Sequence, residues 1–422
     1  MTASSSTSQQ NHEVLEKFIE LVDERAKQPE TAYREEYGFG FLRVRIEPED
    51  WRDQEEYSCS IGYRLANDDR NRYRDVVPYN QTRVVLDVPC WSNAKSSCSK
   101  DETEENAEQK TDSQEAEEND SYINASYIRG FNGKVHYIAA QGPLPNTVAH
   151  FWQMVKQCNV KDIVMLCSVT EGGRTKCERY WPEKCGQSLD VSAERSVTLL
   201  SETFDKQRQI VTRIMQLTRK NAPEKEKSSE KHTVRQLQYT DWPDYGRPDN
   251  IGPILHLLSL VHAERGNAVE SPVLIHCSAG CGRTGAIIAV DLVRSQLQFG
   301  LVADDFNVVD LVLDLRRQRP AMVQSVDQFI LIHHLIAELF RQHLGRGTVA
   351  MESTTTTTAA DTATPARPNR RTKKTPTNTS DSVPPTTQNL GGMSVLEFPY
   401  VFSSSFTLQG PKPLPSSWRD TS

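Results

Sequence analysis

The chain has 422 residues, a formal net charge of −7 at pH 7, 37% hydrophobic residues and a mean hydropathy of −0.59. That length holds one large domain plus further segments, and that polarity leaves part of the chain without a core. The acidic balance argues against a general nucleic-acid binder, and no apolar run is long enough to span a bilayer. Nine cysteines, an odd number without paired spacing, point to reduced thiols in the cytosol or nucleus. The absence of a CxxC or HExxH pattern predicts no metal. The polar start Met1-Thr2-Ala3-Ser4-Ser5-Ser6 carries no signal-peptide core, so none is expected.

Residues 1–11 are expected to be disordered. Val14, Leu15, Phe18, Ile19, Leu21 and Val22 recur at helical spacing and predict a short capping helix over about 12–27. A polar run, 71–79, leads into a strand at 82–86. Residues 92–120 form an acidic, low-complexity stretch predicted to be a disordered loop, which a fold tolerates because closure cost grows slowly with loop length. Core strands are expected in 121–128 and from 137, a helix over 148–155 and a buried strand at 162–167. Antiparallel strands are expected over 191–220, a charged turn at 221–232 and a further strand at 233–239.

Trp242-Pro243-Asp244-Tyr245-Gly246-Arg247-Pro248 follows that strand. Pro and Gly bound a short mobile loop, and an Asp at its tip can swing over a bound phosphate. A helix over 251–265 then sets Ile254, Leu257, Leu258 and Val261 on one face. Further helices are predicted at 306–316 and 329–343. His333 and His334 are adjacent, the wrong spacing for a helical metal pair.

The most informative stretch lies between them. Val273-Leu274-Ile275 reads as a short buried strand. His276-Cys277-Ser278-Ala279-Gly280-Cys281-Gly282-Arg283-Thr284-Gly285 reads as a glycine-rich turn, and a helix is expected from Ala286. A strand, a glycine loop and a helix N-terminus make an anion cradle. A cysteine facing its N–H groups is expected to be a thiolate nucleophile at neutral pH. Arg283 can grip two phosphate oxygens through its planar fork. A buried structural cysteine beside a surface arginine is the plain alternative. The strand, the three glycines, His276 and Thr284 favour the chemical reading.

This stretch resembles the signature of the protein tyrosine phosphatases, and Cys281 resembles their non-receptor, PEST-type subgroup. The resemblance covers roughly 30–345 apart from the insert, with five motifs in the family's order. It implies an α/β fold, a twisted mixed sheet flanked by helices, for a catalytic domain over 12–345. It implies that Cys277 is the nucleophile and Arg283 the phosphate clamp, with Ser278, Ala279, Gly280, Cys281 and Gly282 binding the phosphate and His276 and Thr284 in support. Residues 71–79 resemble the phosphotyrosine-recognition loop. On that match Tyr73 stacks on the substrate ring and sets pocket depth, and Asp75 accepts hydrogen bonds from the substrate backbone.

Residues 171–182 resemble the glutamate-bearing loop, in which Glu171 orients Arg283 through an ion pair. Lys176 there either holds the general-acid loop or is a solvated surface charge. Residues 242–248 match the general-acid loop, making Asp244 the proton donor and later the base. Residues 317–328 match the glutamine loop, in which Gln324 positions water and Gln328 assists. The implied activity is metal-independent, cofactor-free hydrolysis of phosphotyrosine in proteins, in cytosolic signalling. Two rivals are a dual-specificity or phosphoinositide phosphatase and a catalytically dead phosphotyrosine-binding module. The Tyr73 pocket and the complete set of catalytic residues argue against them. Cys177 and Cys281 are either traps for an oxidised Cys277 or small packing residues.

Residues 346–389 are Thr/Pro/Ser-rich and predict a disordered linker. Its basic cluster, Arg367, Arg370, Arg371, Lys373 and Lys374, reads as a nuclear-import signal, an anionic-lipid patch or solvated linker. Apolar and aromatic residues return in 390–422, at Leu396, Phe398, Tyr400, Val401, Phe402, Phe406 and Trp418. A short apolar, proline-rich patch on a tether has the form of a docking motif. It resembles the C-terminal segment of PEST-type phosphatases, which implies an adaptor protein as partner.

Overall fold

The computed structural model describes residues 3–87, 121–220, 231–243, 246–265 and 271–346. All lie in one of the two compact units of the chain, Met1–Ala350. The expected insert at 92–120 and the segments beyond 346 lie outside the described residues.

Among the described residues a nine-stranded mixed sheet carries the site. Its strands are β1 (Arg83–Val85), β2 (Tyr122–Arg129), β3 (Val135–Ala140), β4 (Asp162–Met165), β7 (Ser188–Asp190), β8 (Arg195–Asp205), β9 (Ile210–Arg219), β10 (His232–Tyr239) and β11 (Val273–His276). The order across the sheet is β1-β2-β3-β11-β4-β10-β9-β8-β7. A separate hairpin pairs β5 (Thr170–Glu171) with β6 (Arg174–Thr175). The central strands are parallel: β11 lies between β3 and β4, and β4 pairs with β10. The outer pairings are antiparallel hairpins. Parallel neighbours need crossovers that cover both faces, so β11 is fully buried, with apolar Val273, Leu274 and Ile275 ahead of His276.

The helices are α1 (Ala3–Ala26), α2 (Glu30–Ile46), α3 (Val148–Gln157), α4 (Gly252–Arg265), α5 (Gly282–Gln298), α6 (Val308–Gln318) and α7 (Val326–His343). Alternate strand residues divide between two cores. Tyr137, Ala139, Val273 and Ile275 pack with α1, α2 and α4 to α7. Ile138, Ala140 and Leu274 pack with α3, Tyr180 and Trp181. This is the mixed sheet flanked by helices that the sequence predicts. No described helix is long and apolar enough to cross a membrane.

Two local expectations are corrected, and one further helix appears. Residues 1–11, expected to be disordered, are helical from Ala3. Leu15, Phe18, Ile19 and Val22 anchor the helix in the core, and extending an anchored helix costs far less than starting one. Helix α2 was not expected. Its buried residues Tyr33, Tyr37, Phe41 and Val44 keep helical spacing, but exposed Phe39, Leu42 and Ile46 on the other side blur the amphipathic period. Helix α5 starts at Gly282, not Ala286, with Cys281 as its N-cap. Two glycines of low helix propensity in its first turn hide that start.

Candidate active site

Strand β11 delivers a loop at the carboxyl ends of the parallel strands, the place where open α/β sheets bind ligands. Cys277 follows the strand and is buried. The Gly280 N–H donates to Cys277 Sγ at 3.3 Å. Gly280 has φ +72°, and a Cβ there would lie 2.1 Å from the Ala140 carbonyl oxygen, so only glycine fits. Arg283 and Thr284 sit in the first turn of α5, so the positive end of its dipole faces the loop.

A fully buried arginine shapes this loop from behind. Arg319 Nε donates to the Gly280 carbonyl at 2.8 Å and Nη2 to the Ala279 carbonyl at 3.2 Å. Its other donors reach Asn124 Oδ1 at 2.7 Å and Ser126 Oγ at 3.1 Å. In a trans peptide the C=O and the following N–H point opposite ways. Holding both carbonyls on Arg319 therefore turns the 280 and 281 N–H groups toward the cysteine side.

Arg283 meets Glu171 in a two-pronged ion pair, Nη1–Oε1 2.7 Å and Nη2–Oε2 2.9 Å. Burial works against the Arg283 charge, but the Glu171 bonds and charge outweigh it and raise the pKa. Nη1 also donates to Leu166 O at 3.0 Å and Nη2 to Pro243 O at 3.3 Å. Glu171 Oε1 accepts from the Ser168 N–H at 2.9 Å, which fixes the carboxylate.

Ser278 joins two loops to this one. Its hydroxyl donates to the Lys176 carbonyl at 2.9 Å, so Tyr73 must donate in the 2.9 Å contact between Tyr73 O–H and Ser278 Oγ. Tyr73 thus stands beside the phosphate loop, and Asp75 is exposed on the same segment. Lys176 is half-buried and meets the phosphate loop through its carbonyl. The Tyr73 segment is braced by Arg72, which donates to Gly142 O at 3.0 Å and Pro143 O at 2.5 Å.

The glutamine loop carries two non-glycine residues at positive φ, Ala321 at 58° and Val323 at 61°. A β-branched residue there is a genuine outlier, held only where its surroundings over-determine it. Arg316 supplies that hold, donating to Met322 O at 2.9 Å and Val323 O at 2.7 Å. Burial lowers its pKa to about 10, so it stays charged at pH 7. Gln324 is exposed next to Gly282: a Cβ built there would lie 2.8 Å from Gln324 Oε1 and 2.9 Å from Gln328 Nε2. Gln328 Oε1 accepts from the Gln324 N–H at 2.8 Å.

His276 is buried. The Cys277 carbonyl can only accept, so His276 Nδ1 carries the proton and donates to it at 3.1 Å. Nε2 of the neutral ring then accepts from Tyr180 O–H at 2.8 Å, while Tyr180 Oη accepts from Gln236 at 2.6 Å. The Thr284 hydroxyl is buried, with no hydrogen-bond partner among the described residues. Burial, helped by the charge of Cys277, pushes the Cys281 thiol up to about 12, so it stays protonated at neutral pH. Asp244 lies outside the described residues. Among the described residues no group of three or more His, Cys, Asp or Glu is placed to hold a metal.

The structure brings Tyr73, Glu171, His276 to Thr284, Gln324 and Gln328 together. Sequence reasoning gave no role to Arg316, Arg319 or Tyr180. For Arg316 a signal existed: it falls on the apolar stripe Val308, Val312 and Leu315 of α6.

A family model described as protein-tyrosine phosphatase matches residues 67–338, more than half of the chain and every site residue above. The chain belongs to the protein-tyrosine phosphatase family. It is 36% identical over 304 residues to mouse tyrosine-protein phosphatase non-receptor type 18, covering 72% of this chain and 59% of that one. It is 34% identical over 332 residues to human non-receptor type 12, covering 79% of this chain and 38% of that one. The chain thus spans well under two thirds of these curated relatives. Both are PEST-type phosphatases, in line with the resemblance read at Cys281. Receptor-type phosphatase eta of chicken is also 36% identical, over 294 residues. The crystal structure of the catalytic domain of human non-receptor type 18 matches with a TM-score of 0.60 and 33% identity, covering 72% of this chain and 96% of that one. Another phosphatase structure, PTPN18 in complex with HER2 phosphopeptides, matches with a TM-score of 0.62 and 32% identity, covering 78% of this chain and 99% of that one.

Proposed function

We propose that this chain hydrolyses phosphotyrosine in proteins through a cysteinyl-phosphate intermediate. The observation that carries the reading is the Arg283–Glu171 fork, held beside a loop whose Gly280 N–H already points at Cys277 Sγ. In the first step Cys277 Sγ attacks phosphorus and the bond to the tyrosyl oxygen breaks. Asp244 gives that oxygen its proton, because a phenolate leaves poorly. Arg283 and the loop amides carry the charge on the equatorial oxygens. In the second step Gln324, steadied by Gln328, positions water. Asp244 takes its proton, the S–P bond breaks, and phosphate is released.

Phosphotyrosyl proteins are the substrates in this reading. Tyr73 beside Ser278 makes a pocket wall suited to an aromatic ring, and Asp75 is exposed where a substrate backbone would pass. The phosphopeptides bound to the non-receptor type 18 phosphatase favour the same substrate class. The seven cysteines among the described residues are all unpaired, which supports a reducing, cytosolic setting for signalling. The basic cluster Arg367–Lys374 as a route to the nucleus, and 390–422 as an adaptor-docking segment, complete the proposal.

The deciding experiment is Cys277→Ser. It should abolish turnover of a phosphotyrosyl peptide while the peptide still binds. Retained hydrolysis by the purified variant would sink the mechanism.

A further inference from the structure

The segment 242–248 is held at both ends by side chains from elsewhere in the domain. At its start the Trp242 ring lies 5.8 Å from the Arg283 guanidinium, and Pro243 O accepts from Arg283 Nη2 at 3.3 Å. At its end Arg247 Nη1 donates to Asp327 Oδ1 at 3.4 Å. The Arg247 guanidinium also stands 5.8 Å from the centre of the Tyr33 ring, within range of a cation–π contact. The first anchor is the phosphate clamp itself. The second lies outside the phosphate loop.

The second anchor is firmly built. Asp327 sits in the first turn of α7, where the helix dipole favours a carboxylate. Arg34 of α2 grips that carboxylate with two bonds, Nη1–Oδ1 at 2.6 Å and Nη2–Oδ2 at 3.2 Å. Glu30 lies 3.7 Å from Arg34 and offsets its charge, which lets a second arginine share Oδ1. Tyr33 is buried, and its hydroxyl meets His334 Nε2 at 2.5 Å. An ion pair between fully exposed side chains would count for little. Here the Arg247 side chain is only 23% exposed and that of Asp327 20%.

The same anchor registers one loop against another. Asp327 precedes Gln328, whose Oε1 accepts from the Gln324 N–H at 2.8 Å. Just before Arg247, Gly246 has φ +89° and no atom within 4 Å of a Cβ built there, so glycine serves the turn rather than the space. In sequence, Asp244, Tyr245 and Gly246 lie between the two anchors. Releasing either anchor enlarges the set of positions open to Asp244. We propose that Arg247 is a positioning residue for the general acid: paired with Asp327 and seated over Tyr33, it aims Asp244 at the leaving tyrosyl oxygen. The inference rests on the phosphatase reading and deepens it.

The test compares kcat/KM of the full chain on p-nitrophenyl phosphate and phenyl phosphate. That constant reports the step that forms the cysteinyl-phosphate, so effects on the later water step do not enter. A nitrophenolate leaves with little help, whereas a phenolate needs the proton. In Arg247→Ala the preference for p-nitrophenyl phosphate should rise about fivefold, the scale of one partly buried ion pair with a ring contact. Asp327→Asn should raise it likewise. Arg247→Lys should stay near the wild-type ratio, since one guanidinium nitrogen alone meets Asp327. Each ratio is taken within one preparation, so a loss of active protein cancels. An unchanged ratio in Arg247→Ala or Asp327→Asn, or a Lys variant as impaired as the Ala variant, would overturn the role of Arg247. Wild-type hydrolysis of p-nitrophenyl phosphate separates the two readings. If it is intact, an unchanged ratio defeats only the positioning role; if it is absent, the phosphatase reading falls and the positioning role with it.

Discussion

The Val323 N–H donates to the Cys281 carbonyl at 3.1 Å, tying the glutamine loop to the phosphate loop through the backbone. Val323 makes that bond from a left-handed conformation, with Arg316 gripping its carbonyl at 2.7 Å. The strain is thus localised where Gln324 must be aimed. The aim depends on two backbones and one arginine rather than on the flexible Gln324 side chain alone.

Gly282 leaves the space that Gln324 occupies. In Gly282→Ala the new methyl displaces the ends of two flexible side chains, Gln324 and Gln328, so the fold should survive. Formation of the cysteinyl-phosphate should change little, while its hydrolysis slows by about tenfold or more, roughly 1.4 kcal/mol on that barrier. Rapid-quench kinetics should then show a burst of dephosphorylated peptide followed by a slower steady state. A uniform slowing of both phases would refute this division of labour.

Acid should destabilise the domain through its buried histidines as pH falls from 7 to 5. Burial lowers the pKa of His333 to about 3 and those of His232 and His334 to about 4. His333 Nδ1 donates to Phe329 O at 2.8 Å, as a neutral ring. An unfolded histidine takes up a proton near pH 6.5 and the folded one does not, so stability is present above that pH. It falls as pH drops toward the folded values. For His333 alone the loss by pH 5 is about 2 kcal/mol. Urea melts from pH 7 to pH 5 should show the decline, and His333→Gln should flatten it. An unchanged slope in that variant would contradict the assignment.

Mild peroxide should couple Cys277 to Cys177 rather than to Cys281. Peroxide oxidises Cys277 to the sulfenic acid, and a second thiol attacks that sulfur with loss of water. A Cβ built on Gly142 would lie 2.8 Å from Cys277 O and 3.1 Å from Cys177 Cβ, so the two cysteines flank one glycine. Cys281 is the poorer nucleophile, its thiol held protonated by burial. Mass spectrometry of the peroxide-treated chain reads the linkage. Irreversible sulfinic acid at Cys277 without either disulfide would count against the trap.

Deletion of 390–422 should leave phosphopeptide hydrolysis unchanged, since every site residue lies within the matched 67–338. The same deletion should remove adaptor co-purification from cells. An unaltered set of bound proteins would show that the segment does not dock.

The sequence by itself determined the parts of the site whose conditions are local. The loop from Cys277 to Arg283 is legible because a strand, glycines and a helix start within ten residues constrain one another. The Tyr73 and Gln324 loops were readable as short ordered motifs, and the apolar run of β11 announced a central strand. Tertiary structure alone decided what holds these parts in place. Arg319 reaches Asn124 and Ser126, 195 and 193 residues away, and Tyr180 reaches His276 across 96. Residue type and spacing mark an arginine or a tyrosine but not which distant carbonyl or ring it will meet. That choice follows from sheet order, which sets β2 beside β3 and β3 beside β11. The same reason hid α2: its exposed apolar residues look like core until α7 and α6 are seen to cover only the other side.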